Sequence, residues 1–170
     1  GFNAGNLCCG AKMMSVVETL FKPTHAGGPA TPLLAESWEL DTTNSPPQYV
    51  DVTIKSGIMF HGGYGELTAD DLVWNINDTN PNLSETLGTG NISITDGSGT
   101  WAGFLGANAT EKTGDYSVRI NWESFDPRWD TWFFGQDGLG SGIVSKNAYD
   151  TEGEEWNQYQ LIGTGPFEMT

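Results

Sequence analysis

Alternation is the clearest pattern along the chain. Val50, Val52 and Ile54 alternate with Asp51, Thr53 and Lys55, which predicts a strand over residues 48–55 with one face in a core. Tyr116, Val118, Ile120 and Trp122 alternate in the same way and predict a strand over residues 115–123. The run Ala-Glu-Ser-Trp-Glu-Leu over 35–40 suits a third, short strand. Helical spacing appears at Met13, Val16, Val17 and Leu20, extended by Phe21 and stopped by Pro23, so a helix is predicted over residues 12–21. A second helix is predicted from Thr68, whose hydroxyl suits an N-cap. Asp70 and Asp71 would face its positive end, and Leu72, Val73 and Ile76 its core. Ser145 suits the cap of a third helix, running to about Tyr149.

Residues 23–32, 41–48 and 79–99 read as loops. Ile58-Met59-Phe60 is a short apolar run that ends in the turn His61-Gly62-Gly63, where His61 is assigned a structural hydrogen bond. Trp129, Trp132, Phe133 and Phe134 crowd together and are assigned to the core. The acidic run over 152–155 is assigned to a solvated face. Gly163-Thr164-Gly165-Pro166-Phe167 reads as a turn entering a new strand. The chain stops three residues after that motif, so either the strand is only a few residues long or this is the front part of a longer protein.

Composition narrows the function. With 7 basic against 22 acidic residues the formal net charge is −15, so no basic stripe exists to neutralise a phosphate backbone, and nucleic acid is excluded as a partner. An anionic membrane surface is disfavoured for the same reason. No apolar run approaches the roughly 18–20 residues that span a bilayer. No basic and apolar leader precedes Gly1, so a targeting signal is expected to have been removed or left out. Cys8 and Cys9 are neighbours and His25 and His61 stand alone, so neither a disulfide framework nor a metal site is expected, and no cofactor is implied. No GxSxG elbow and no Walker glycine loop is present, so the chain is not expected to be an enzyme. Asn77, Asn82, Asn91 and Asn108 each begin an Asn-x-Ser/Thr sequon, and their clustering predicts an exported, glycosylated loop region.

Several segments match a family in order. They are Val17-Glu18-Thr19-Leu20-Phe21, Pro32-Leu33-Leu34-Ala35-Glu36-Ser37-Trp38-Glu39, and the stretch from Tyr49 through Phe60-His61-Gly62-Gly63. Leu67-Thr68-Ala69-Asp70-Asp71-Leu72-Val73-Trp74, Ile143-Val144-Ser145-Lys146 and Gly163-Thr164-Gly165-Pro166-Phe167 follow. Together they resemble the family-5 solute-binding proteins of ABC transporters, the oligopeptide, dipeptide and nickel binders. Residues 79–109 are the least alike, and His61-Gly62-Gly63 has glycine where the family usually has Asp.

The resemblance implies a mixed α/β (α+β) fold of the periplasmic-binding-protein type II kind, of which this chain is an N-terminal lobe fragment with its smaller subdomain. Residues 1–40 would begin the main lobe, 41–150 form the smaller subdomain with the glycan-rich loop, and 151–170 return to the main lobe. The second lobe would lie beyond. The implied function is capture of a peptide or small solute for an ABC permease, outside the cell or at its surface. The clustered sequons point to a eukaryote-like or archaeal surface. Asn6, Leu7, Cys8, Cys9 and Gly10 fall where the family has a loop that offers backbone groups to ligand, a strand-addition mode of peptide recognition. The alternative is a glycosylated surface or filament subunit that self-assembles on the same fold. A carbohydrate-binding module with stacked Trp fits the aromatic count but not the motif order.

Overall fold

The structure, a computed structural model, describes residues 15–22, 30–80, 83, 103–135, 142–157 and 159–170, with the backbone alone at Thr79 and Trp132. Its framework is an antiparallel sheet in which β3 (Ala35–Leu40), β4 (Tyr49–Ile54), β6 (Ser117–Asn121) and β5 (Thr110–Lys112) lie side by side in that order. A two-residue ladder pairs β1 (Phe21–Lys22) with β2 (Thr31–Pro32).

The register explains the alternation. Val50 faces Ile120 and Val52 faces Val118, so the inward residues of β4 and β6 meet on one face and are buried. Their outward neighbours form a polar face, where the Arg119 guanidinium donates twice to the Asp51 carboxylate at 2.8 Å and lies 3.9 Å from the centre of the Tyr49 ring. Strand β5 carries only Thr-Glu-Lys and shows no apolar signal, which is why its sequence did not announce it.

Helix α1 (Ala69–Thr79) covers the inner face with Ala69, Leu72 and Ile76, all fully buried. Its start follows expectation: the Thr68 N–H and hydroxyl both donate to Asp71, three residues on. Helix α2 (Lys146–Glu152) begins where Ser145 accepts a bond from the Ala148 N–H, and it runs one turn beyond Tyr149. Helix α3 (Glu154–Asn157) is a single turn of the acidic stretch, whose Glu152 and Glu155 are exposed as expected.

The aromatic patch is core. Residues Trp129–Phe133 form one π-helical turn, and Trp129, Phe133 and Phe134 are buried. Phe104 stacks on Phe133 with ring centres 3.8 Å apart, and Phe21 meets both Trp38 and Trp129 edge-on.

One expectation fails. The described part of the 12–21 stretch, residues 15–21, is not helical; it runs into β1, and Glu18 forms an isolated bridge with Ile143. Val16, Val17 and Thr19 are β-branched and tolerate extension. The backbone groups of this segment find partners far along the chain rather than four residues away. Residues 12–14 lie outside the described residues. Nor does the 163–167 motif enter a strand, although its N–H groups bond the 15–16 backbone.

Loop 41–48 has its own internal scaffold. Asp41 is buried, and its carboxylate accepts bonds from the Thr43 hydroxyl at 2.6 Å, the Thr43 N–H at 2.8 Å, the Asn44 side chain at 2.8 Å and the Gln48 N–H at 3.0 Å. The Thr43 hydroxyl first, then the amide of Asn44 and the backbone donors, hold this carboxyl well below the usual carboxylate range. A depressed folded value adds stability that is complete above the unfolded value near ~4 and is lost as pH falls below it. Asp41→Asn is therefore expected to flatten the loss of stability below about pH 4, read by thermal unfolding at stepped pH. A wild-type acid slope in the variant contradicts the assignment.

Candidate functional site

The predicted ligand-contacting stretch, Asn6, Leu7, Cys8, Cys9 and Gly10, lies outside the described residues. The structure does show how the chain that follows it is gripped. Val17, Thr19 and Phe21 are completely buried, and Leu20 nearly so. Glu18 accepts from the Ile143 N–H at 2.8 Å, and Leu20 accepts from the N–H groups of Leu33 and Ala35 at 2.9 and 3.1 Å. The Phe21 N–H donates to the Phe134 carbonyl at 3.1 Å. Val17 packs with Trp74, Val144 and Leu161 in a small apolar cluster of its own.

The Gly163-Thr164-Gly165 motif closes this grip. Gly165 N–H donates to the Val16 carbonyl at 2.8 Å, and Phe167 N–H to the Ser15 carbonyl at 2.9 Å. The Thr164 hydroxyl donates to the Glu18 carboxylate at 2.9 Å. Glycine is required by distance rather than by dihedral angle. A Cβ at Gly163 would stand 2.2 Å from the Val16 carbonyl oxygen, and one at Gly165 would stand 2.7 Å from that of Ser15. Any side chain there would push the two backbones apart.

His61 completes the clamp from the side. Its N–H donates to the Gly163 carbonyl at 3.0 Å, and its ring Nε2 lies 2.7 Å from the Gly165 carbonyl. A carbonyl only accepts, so Nε2 carries the proton. The following Gly62 and Gly63 turn the chain at φ 65° and 76°, conformations that side chains disfavour. His61 thus has the structural role the sequence suggested, and its ring holds the clamp.

Buried amide and carboxylate groups tie this region to α1. Asn75, fully buried, donates to the Asp71 and Val144 carbonyls at 2.8 Å each and accepts from the Val144 N–H at 3.1 Å. Asp71 also accepts from the Lys146 N–H at 3.0 Å, so one carboxylate caps the starts of both α1 and α2. Burial pushes the Asp71 carboxyl up, against the donors of Thr68 and Lys146. Neither Asn75 nor Asp41 was singled out from the sequence, because their partners are set by tertiary contact.

An acidic groove of about 760 Å3 runs between α1 and α2, with Asp70, Asp78 and Asp150 on its walls beside Tyr64, Trp74 and Lys146. Lys112 pairs with Asp70 at 2.8 Å, and Lys146 pairs with Asp150. Among the described residues no group of three or more His, Cys, Asp or Glu is arranged to hold a metal ion, and no helix is long and apolar enough to cross a membrane.

Two of the four sequons fall among the described residues. Asn108 is exposed in the turn before β5. Asn77 is half-buried within α1, and its side-chain oxygen accepts from the Thr110 hydroxyl at 2.9 Å. Asn82 and Asn91 lie outside the described residues.

This arrangement of sheet, covering helices and glycine clamp is a mixed α/β fold of the type II periplasmic-binding-protein kind. The family model described as bacterial extracellular solute-binding proteins, family 5 Middle, matches residues 30–170, and the chain belongs to that family. The oligopeptide-binding protein AppA of Bacillus subtilis, solved with a nonapeptide, is 26% identical; the match covers 94% of this chain and 29% of that one, with a TM-score of 0.67. The periplasmic binding protein DppA of Helicobacter pylori, solved with the peptide STSA, is 19% identical over 99% of this chain and 34% of its own, with a TM-score of 0.73. NikA of Brucella suis, solved with Fe(III)-EDTA, is 19% identical over 99% of this chain and 28% of its own, at a TM-score of 0.65. The chain thus spans about a third of the length of the solved structures it matches. No curated protein sequence matches it significantly.

Proposed function

We propose that the chain is the front portion of an exported solute-binding protein that captures peptides or similar small solutes for an ABC importer. The observation that carries this reading is the family match across residues 30–170. The clamp supports it physically, because it fixes the backbone at residues 15–17, a few residues after the predicted ligand loop. In this reading residues 6–10 offer backbone groups to an extended peptide, and the second wall of the cleft comes from a lobe that follows. Binding, not catalysis, is the activity.

The described sequons divide on access. Asn108 is the position at which an N-glycan would meet no buried surface, whereas Asn77 is committed to its bond with Thr110. No feature of the described residues favours a filament subunit.

The test is a calorimetric titration of the full-length protein with tri-alanine, alongside a denaturing mass measurement that captures any solute released. Saturable binding, or a released peptide, is the expected result. Gly10→Val is expected to weaken tri-alanine about tenfold by displacing one or two backbone hydrogen bonds. A full-length protein that neither releases a solute nor binds the peptide contradicts the transport reading. Unchanged affinity in Gly10→Val removes only the role of residues 6–10.

A further inference from the structure

A second groove, of about 530 Å3, lies where β4 begins and β6 ends, between the 41–48 loop and residues 121–125. Its apolar lining includes Trp122 and Phe125, both half-buried. Asn44, Gln48 and Asn121 also line it, and among the described residues Glu123 is the one charged residue there. Each wall is fixed before any ligand arrives. Asp41 holds the loop through Asn44 and the Gln48 N–H, and the Trp122 N–H donates to the Gln48 carbonyl at 3.0 Å, tying the walls together. The Trp122 ring is stacked on Phe104 with centres 5.0 Å apart. Asn121 donates through Nδ2 to the Asn108 carbonyl, which fixes the orientation of its amide. The indole Nε1–H of Trp122 is buried and has no acceptor among the described residues.

These features define a ligand chemistry. Aromatic rings beside amide groups and a single carboxylate match a molecule with apolar C–H faces and a fringe of hydroxyls. An anion would meet Glu123 and a chain with net charge −15. A peptide would find no strand edge, because β4 is paired on both sides. We propose that this groove is a second binding site, separate from the solute cleft, for a neutral saccharide of one or two sugar units. In it the Glu123 carboxylate and the Gln48 amide bond sugar hydroxyls, while Trp122 and Phe125 meet the sugar's C–H groups.

The test uses the full-length protein and two probes, cellobiose and maltose, followed by saturation-transfer NMR and titration. At least one is expected to bind with a dissociation constant on the order of 1 mM. That binding should persist when tri-alanine is present in excess. Gln48→Ala and Glu123→Ala alter exposed side chains and leave the Trp122–Phe104 stack in place, so the fold is kept. Each is expected to weaken the sugar about three- to tenfold, the share of one hydrogen bond. No saturation transfer to either sugar overturns the proposal. So does displacement of the sugar by tri-alanine, or full affinity in the double variant. If tri-alanine itself fails to bind, the transport reading falls while the sugar titration and its two variants still decide this one.

Discussion

Gly163→Ala is expected to cost about 3 kcal/mol of folding stability, at the upper end of overpacking substitutions. The added methyl would sit 2.2 Å from the Val16 carbonyl oxygen, 2.7 Å from Val17 Cγ1 and 2.8 Å from Val17 Cα. Two of these three atoms are backbone, so relief requires the 15–17 segment to move as a whole. Val17 is completely buried, and the chain directly after it is held from several sides, Glu18 by Ile143, Leu20 by Leu33 and Ala35, and Phe21 by Phe134. Movement therefore breaks hydrogen bonds on the far side of the clamp. Gly103→Ala is the matched control: a Cβ there meets nothing within 4 Å, and the change is expected to lie within about 0.5 kcal/mol of wild type. Urea unfolding of the two variants measures the difference. A Gly163 variant as stable as the control means that the two backbones do not meet as described.

The same substitution separates stability from function. On the proposed reading, the ligand contacts of residues 6–10 depend on how the backbone at residues 15–17 is held. A displaced clamp should thus weaken solute binding under conditions where the variant remains folded. The glycines of this motif matter because two backbones approach each other, and on the proposed reading a turn remote in sequence thereby sets the wall of the solute cleft.

What could be read from the sequence follows from where each signal resides. Strands β4 and β6 were legible because their alternation is local and matches a sheet with one wet face. Helix α1 was legible because its cap, Thr68 with Asp71, is complete within four residues. Residues 15–22 misled because Val16, Val17, Leu20 and Phe21 satisfy a helical spacing and an extended, fully enclosed segment equally well. What decides between them is hydrogen bonding to Ile143, Leu33 and Gly165, which no local window contains. The motif at 163–167 was recognised through family resemblance, yet the reason for its glycines appears only when Val16 and Ser15 are seen against it. Trp129, Phe133 and Phe134 were assignable to the core by their number, but not to a π-helical turn.

Asn75→Leu is the second large effect. Asn75 is fully buried and answers both the N–H and the carbonyl of Val144 while also bonding the Asp71 carbonyl. Leucine is close in size but leaves those two Val144 groups without partners away from water. Each such group costs roughly 1–3 kcal/mol, so a loss of about 3 kcal/mol is expected. Asn75→Asp tests the same geometry differently. An ionised carboxylate would accept from the Val144 N–H but face two carbonyl oxygens with no proton to offer. Burial and those oxygens would raise its folded pKa above the unfolded value, so the variant gains stability relative to wild type as pH falls and loses it as pH rises. Thermal unfolding of Asn75→Asp at pH 4 and pH 7 reads that sign. A variant whose deficit does not grow between them places Asn75 in a wetter, looser site than the structure assigns. The consequence reaches the clamp, because Val144 is followed by Ser145, whose N–H donates to the Ile162 carbonyl at 3.0 Å just before Gly163. An unpaired Val144 therefore loosens the strand of contacts that seats the glycine motif, and Asn75→Leu should weaken solute binding in the same direction as Gly163→Ala without touching the cleft.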